Sequence, residues 1–144
     1  MKIEIRQAPF NPYQEIEKYQ ESIDLTGQFG ATACFIGTMR DFNEGEKVNE
    51  MYLDYYEGMT EKHLNIICSD AMNKWDILEM LVMHRVGQIK PGDPIVLVCV
   101  WTVHRADAFA ACRFIMEDLK ARAPFWKQEK LTTGKRWVEK NSPG

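Results

Sequence analysis

Apolar residues run almost unbroken from Ile95 to Val103, in the order Ile-Val-Leu-Val-Cys-Val-Trp-Thr-Val. A run this short and this rich in β-branched residues predicts a strand covered on both faces, and therefore an inner strand of its sheet. Directly after His104-Arg105 the period changes. Ala108, Ala111, Cys112, Ile115 and Leu119 recur at helical spacing, with Arg113, Met116 and Lys120 on a neighbouring stripe. Ala123-Pro124 ends that helix, and Phe125-Trp126-Lys127 follow.

The rest of the chain alternates between the same two periods. Lys2–Arg6 alternates as a short strand. Asn11-Pro12 predicts a helix start, with Asn as cap and Pro in the first turn; Ile16, Tyr19 and Ile23 form its inward side. Ala31–Ile36 is a second apolar strand, leading through Gly37-Thr38-Met39 to Arg40. The glycine allows close approach by a ligand or by another backbone; packing explains it equally well. Asp41–Lys47 is polar and glycine-containing, which predicts an exposed loop. Val48–Tyr56 alternates again, with Met51, Leu53 and Tyr55 on one face and Tyr52, Asp54 and Tyr56 on the other.

Gly58 and Thr60 open a second helix whose apolar stripe is Leu64, Ile67, Cys68, Ala71 and Trp75. Ile77–Met83 predicts another strand, and Lys90-Pro91-Gly92-Asp93 a tight turn. Thr132-Thr133-Gly134 reads as a hairpin turn between Trp126–Leu131 and Lys135–Glu139, and Asn141–Gly144 as a frayed end. Strands and helices in this order, with no repeat and no linker, predict an α+β fold in a single domain, residues 1–144.

Composition narrows the classes. At 45% hydrophobic and 27% charged, the 144 residues are enough for one domain with its own core. No apolar run approaches the roughly 18 residues of a membrane span, and nothing resembles a signal peptide, so a cytoplasmic protein is expected. The four cysteines, at 34, 68, 99 and 112, form no CxxC pair; they read as reduced core thiols, with no metal site. Net charge is −3, yet from His104 onward nine Lys and Arg stand against five Asp and Glu. That asymmetry suggests a local anion site more than a nucleic-acid surface; a solvated basic face is the plainer reading.

Candidate chemistry sits at strand ends. Arg40 and His104-Arg105 each follow an apolar strand, and the second pair opens a helix, where unpaired backbone N–H groups favour an anion. Parallel or suitably offset strands would bring these three side chains to one sheet edge. Lys120 becomes a useful amine if neighbouring cations (Arg113, Lys127) or burial lower its pKa; a snorkelling surface lysine is the commoner case. Phe125 and Trp126 can shield such a site or simply pack. A second His-Arg pair, His84-Arg85, precedes no helix and is assigned to structure. No carboxylate pair, serine triad or glycine-rich phosphate loop is present, and no cysteine has a cationic activator nearby in sequence.

Several blocks then match a known family in order and spacing: Phe35-Ile-Gly-Thr-Met-Arg40, Tyr56-Glu-Gly-Met-Thr-Glu61, His84-Arg-Val-Gly87, His104-Arg105, Lys120-Ala-Arg-Ala-Pro-Phe-Trp-Lys127 and Arg136-Trp-Val-Glu139. Together they resemble the large, catalytic subunits of molybdopterin synthase, the MoaE family, from about Phe29 to Glu139. Met39 departs from the smaller apolar residue common there. The resemblance implies an α/β-hammerhead fold with an additional antiparallel sheet, and a homodimer. It implies a partner in each protomer: a small ubiquitin-like sulfur-carrier subunit whose C-terminal Gly-Gly tail carries a thiocarboxylate, giving a heterotetramer. Sulfur would pass twice to cyclic pyranopterin monophosphate, forming the dithiolene of molybdopterin, without a resident cofactor. Thr38, Met39, Arg40, His104 and Arg105 would then bind substrate, Lys120 would act as acid, base or nucleophile, and Lys127, Gln128 and Glu129 would complete the pocket. A non-catalytic binder of a phosphorylated pterin or nucleotide, or an adaptor for a ubiquitin-like tail, would use the same cations.

Overall fold

The computed structural model describes residues 1–138. Two sheets and three helices account for most of them. Strands β1 (Lys2–Arg6), β2 (Ala31–Thr38), β5 (Ile77–Arg85) and β7 (Pro94–Thr102) form one sheet in the order β1-β5-β7-β2. Only β1 pairs in parallel, with β5; the β5–β7 and β2–β7 pairs are antiparallel. The long apolar run is thus an inner strand, and Val96 to Thr102 is buried throughout.

Both faces of that sheet are covered. Helix α1 (Pro12–Ile23) lays Ile16, Tyr19 and Ile23 against Leu81, Met83, Leu97, Cys99 and Trp101. Its start follows the sequence signal, with Asn11 Oδ1 accepting from the backbone N–H of Tyr13 and Gln14. On the opposite face lie α2 (Met59–Lys74) and α3 (Arg105–Arg122), whose apolar stripes meet Met80, Val82, Val96, Val98 and Val100. Strand alternation sends odd and even residues of β5 and β7 to the two layers.

A second, antiparallel sheet stands beside the first. It joins β3 (Phe42–Asn43), β4 (Glu46–Tyr55), β8 (Phe125–Leu131) and β9 (Gly134–Trp137), with β6 (Gly87–Ile89) paired to β4. Its inner face packs Val48, Met51 and Leu53 against Met39, Val86 and Ile89. The layout matches the α+β expectation with an added antiparallel sheet.

Three local expectations are corrected. Asp41–Lys47 is not an open loop: Phe42 and Asn43 pair with Lys47 and Glu46 around a Glu44-Gly45 turn, both at positive φ. Cys34 is exposed instead of buried, because α1 covers β5 and β7 but not the edge strand β2. Trp75 caps α2 instead of lying within it. The expected strand end at Glu139 and the frayed Asn141–Gly144 lie outside the described residues.

Candidate active site

A cavity of about 640 Å³ opens where the two sheets meet the last turn of α3. Its wall is assembled from distant segments. The end of β2 brings Thr38, Met39 and Arg40; α3 brings Met116 and Lys120; β8 brings Lys127 and Glu129.

Local structure aims each group. Met39 is clasped through its backbone by the Lys90–Asp93 turn: its N–H donates to the Asp93 carbonyl and its carbonyl accepts from Gly92, both at 2.9 Å. Its side chain fills the core of the second sheet, leaving Arg40 at the cavity. Gly37 is a packing glycine and more: a Cβ there would stand 2.7 Å from Val96 Cγ1, and the residue itself lines the cavity. On β8, Lys127 sits opposite Leu53 and Glu129 opposite Met51, so both share the sheet's buried face. The α3–β8 junction is stapled from beneath, where the buried Thr60 hydroxyl donates to the Pro124 carbonyl at 2.9 Å.

A smaller pocket under the lysines is lined by Lys120, Lys127, His84, Leu53, Leu119 and Phe125. His84 stacks on Phe125, ring centroids 3.9 Å apart and planes 15° from parallel. Its Nδ1 lies 2.8 Å from the Arg85 carbonyl, an acceptor only, so that nitrogen carries the proton. Burial drives the His84 pKa down to about 3, and the two lysine charges push the same way. Burial likewise pulls Lys120 down to about 7, reinforced by the charge and hydrogen bond of Lys127. An amine balanced between its two protonation states near neutral pH can serve as base, acid or nucleophile.

Four expectations fail within one protomer. His104 and Arg105 do not meet Arg40. Because β2 and β7 are antiparallel, with Ala31 opposite Thr102 and Thr38 opposite Pro94, the two cationic groups occupy opposite ends of the sheet. Seven residue steps separate them by roughly 25 Å. Gln128 lies opposite the exposed Tyr52, on the outer face of its sheet, away from the cavity. Trp126 shares that outer face and is 48% exposed, so only Phe125 shields the lysines. Arg113 pairs with Glu117 in solvent at 3.0 Å and takes no part in lowering the Lys120 pKa.

Glu129 does line the cavity, but its carboxylate is engaged by Asn43 and Arg136. Sequence reasoning missed Phe35, and also Phe42 and Asn43 of the β3–β4 hairpin. Phe35 alternates onto the cavity side of an edge strand, a signal available only once the strand's neighbours are known. His84 and Arg85 are both buried, consistent with a structural role, and His84 also floors the lysine pair.

Comparisons with known proteins identify the family. The family model described as "MoaE protein" matches residues 5–122. The chain is 50% identical over 137 residues to the molybdopterin synthase catalytic subunit of Ralstonia nicotianae, covering 95% of this chain and 76% of that one. It is 44% identical to the subunit of the same name from Pseudomonas aeruginosa, over 96% of this chain and 91% of that one. Among solved structures, the MoaE protein of Burkholderia ambifaria superposes with TM-score 0.80 at 40% identity, covering 99% and 92% of the two chains. Molybdopterin synthase from Staphylococcus aureus superposes with TM-score 0.83 at 29% identity, covering 94% and 96%. A family model matched over residues 5–122, with relatives 44–50% identical along nearly the whole chain, places the chain in the MoaE protein family.

Proposed function

We propose that this chain is the catalytic subunit of a molybdopterin synthase and acts as a sulfurtransferase. It takes sulfur from the C-terminal thiocarboxylate of a small ubiquitin-like carrier subunit and places it on cyclic pyranopterin monophosphate, twice, to form the dithiolene. The observation that carries this reading is the convergence of Arg40, Lys120 and Lys127 on one cavity, with Lys120 held near pKa 7. Arg40 suits the substrate phosphate, since a guanidinium offers a planar fork of donors. The lysine pair attracts the anionic thioacid tail. The thiocarboxylate sulfur attacks the pterin carbon and displaces its oxygen, which takes up a proton, so the pterin is joined to the carrier tail through an acyl–sulfur bond. Neutral Lys120 then takes a proton from the water that cleaves that bond, and a second proton passes to solvent: sulfur stays on the pterin as a thiolate and the tail leaves as a carboxylate.

Sulfur arrives on the carrier, so no cysteine of this chain is required. Burial raises the thiols of Cys68 and Cys112 to about 12 and about 11, and no cysteine lines the cavity. His104 and Arg105 remain substrate-binding residues in this reading, contributed by a second copy of the chain. The exposed Val103 and Phe109 around them supply apolar surface for such a homodimer. Incubation with thiocarboxylated carrier and cyclic pyranopterin monophosphate tests the proposal. Dithiolene formation is the expected result; binding of pterin without sulfuration would identify a binder instead.

A further inference from the structure

The β3–β4 hairpin hangs beside the cavity with little core of its own: Phe42 is 55% exposed, and Glu44 and Gly45 both need positive φ. Side chains from two other strands hold it, Arg136 of β9 and Glu129 of β8. Arg136, on β9, donates from Nη2 to the Asn43 carbonyl at 2.8 Å and from Nε to Glu129 Oε1 at 3.0 Å, and its Nη1 lies 3.3 Å from Glu44. The Asn43 side-chain amide closes the triangle, donating to the Glu129 carboxylate at 3.1 and 3.3 Å. Glu129 is 6% exposed, so its charge is neutralised within this cluster. Phe42, next along the hairpin, lies under the Arg40 guanidinium, whose carbon is 5.2 Å from the ring centroid.

We propose that Arg136 is a positioning residue for the cavity: anchored on Glu129, it pins the β3–β4 hairpin and thereby sets Phe42 as the platform that holds the Arg40 guanidinium at the substrate. The chain of contacts is continuous, from β9 to β8 to the hairpin to the end of β2. Arg136 itself stands outside the cavity wall, while Val138, two residues on, lines it. The fork geometry matters. A lysine at 136 can meet the carboxylate or the Asn43 carbonyl, but not both with parallel donors.

The inference rests on the proposed sulfur transfer for its kinetic arm only; a second arm reads the hairpin directly. Arg136→Gln and Arg136→Lys are compared with the parent chain by amide hydrogen exchange at residues 42–47, and by steady-state kinetics with the cyclic pterin and thiocarboxylated carrier. In the Gln variant, exchange at 42–47 should rise about tenfold or more, since local opening then lacks its main restraint. KM for the pterin should rise about fivefold to tenfold with kcat little changed, the mark of lost binding and not lost chemistry. The Lys variant should fall between. Phe42→Leu, which removes the ring but not the clamp, should reproduce the KM effect with unchanged exchange at residue 48 and beyond. Unchanged hairpin exchange in a folded Arg136→Gln chain overturns the proposal, as does a loss confined to kcat. Absence of sulfuration by the parent chain overturns the proposed function instead, and leaves the exchange result to judge the clamp.

Discussion

Lys120, in the last turn of α3, and Lys127, on β8, line the same two cavities, close enough for the Lys127 charge to help lower the Lys120 pKa. Two ammonium groups cannot share that position cheaply in a part-buried pocket, so one of them must be ready to lose its proton. Burial decides that it is Lys120, with a pKa near 7.

Lys120→Ala should reduce dithiolene formation by about 100-fold or more, the range expected for loss of a positioned acid–base group, while carrier binding persists. Lys120→Arg should not rescue it, because guanidinium keeps its proton. In the parent chain the rate should fall as pH drops through about 7, following the neutral amine. Lys127→Ala removes a charge that lowers the Lys120 pKa, so the rate profile should move to higher pH. A pH–rate series on the three variants measures all of this.

Stability should carry a second pH signature. His84 titrates near 3 in the fold and at 6.5 when unfolded, so between those values the unfolded chain binds the extra proton. The fold is therefore fully favoured above pH 6.5 and loses stability as pH falls toward 3. In His84→Phe that acid loss should shrink. Chemical denaturation at pH 7 and pH 4.5, for both chains, gives the comparison.

Gly37→Ala should destabilise the fold by about 1–3 kcal/mol, the usual cost of overpacking, because its Cβ would meet Val96 Cγ1 at 2.7 Å in a buried β-branched neighbour. The same methyl intrudes on the cavity wall, so pterin KM should rise as well. Thermal melting and kinetics separate the two effects.

The proposed sharing of each site between two copies of the chain is open to a complementation test. Lys120→Ala chains and His104→Ala/Arg105→Ala chains should each be inactive alone. Mixed and re-equilibrated in equal amounts, they should regain about a quarter of parental activity, since half the dimers are mixed and one of their two sites is intact. No recovery on mixing would mean that His104 and Arg105 act elsewhere.

Replacing all four cysteines by alanine or serine should leave sulfur transfer within a few-fold of the parent wherever the chain folds. Loss of activity in a folded variant, measured alongside circular dichroism, would point to a persulfide carried on this chain.

Local chemistry was legible along the chain because it depends on neighbours in sequence. The inner strand Pro94–Thr102 follows from its apolar run, the start of α1 from Asn11-Pro12, and the Lys90–Asp93 turn from its Pro-Gly pair. Lys120 and Lys127 are candidates from the helix pattern and the segment after it, and the family resemblance supplies their roles. Tertiary structure alone decided which cations meet. A residue's period places it on a face, but the direction of the neighbouring strand sets which end of the sheet it reaches. Antiparallel pairing of β2 with β7 therefore separated His104 and Arg105 from Arg40. The pairing of β8 with β4 turned Lys127 inward and Gln128 outward, and folding the β9 arginine back onto Asn43 and Glu129 joined segments that share no sequence pattern. Such long-range register is fixed by packing of whole layers, which no short stretch of residues encodes by itself.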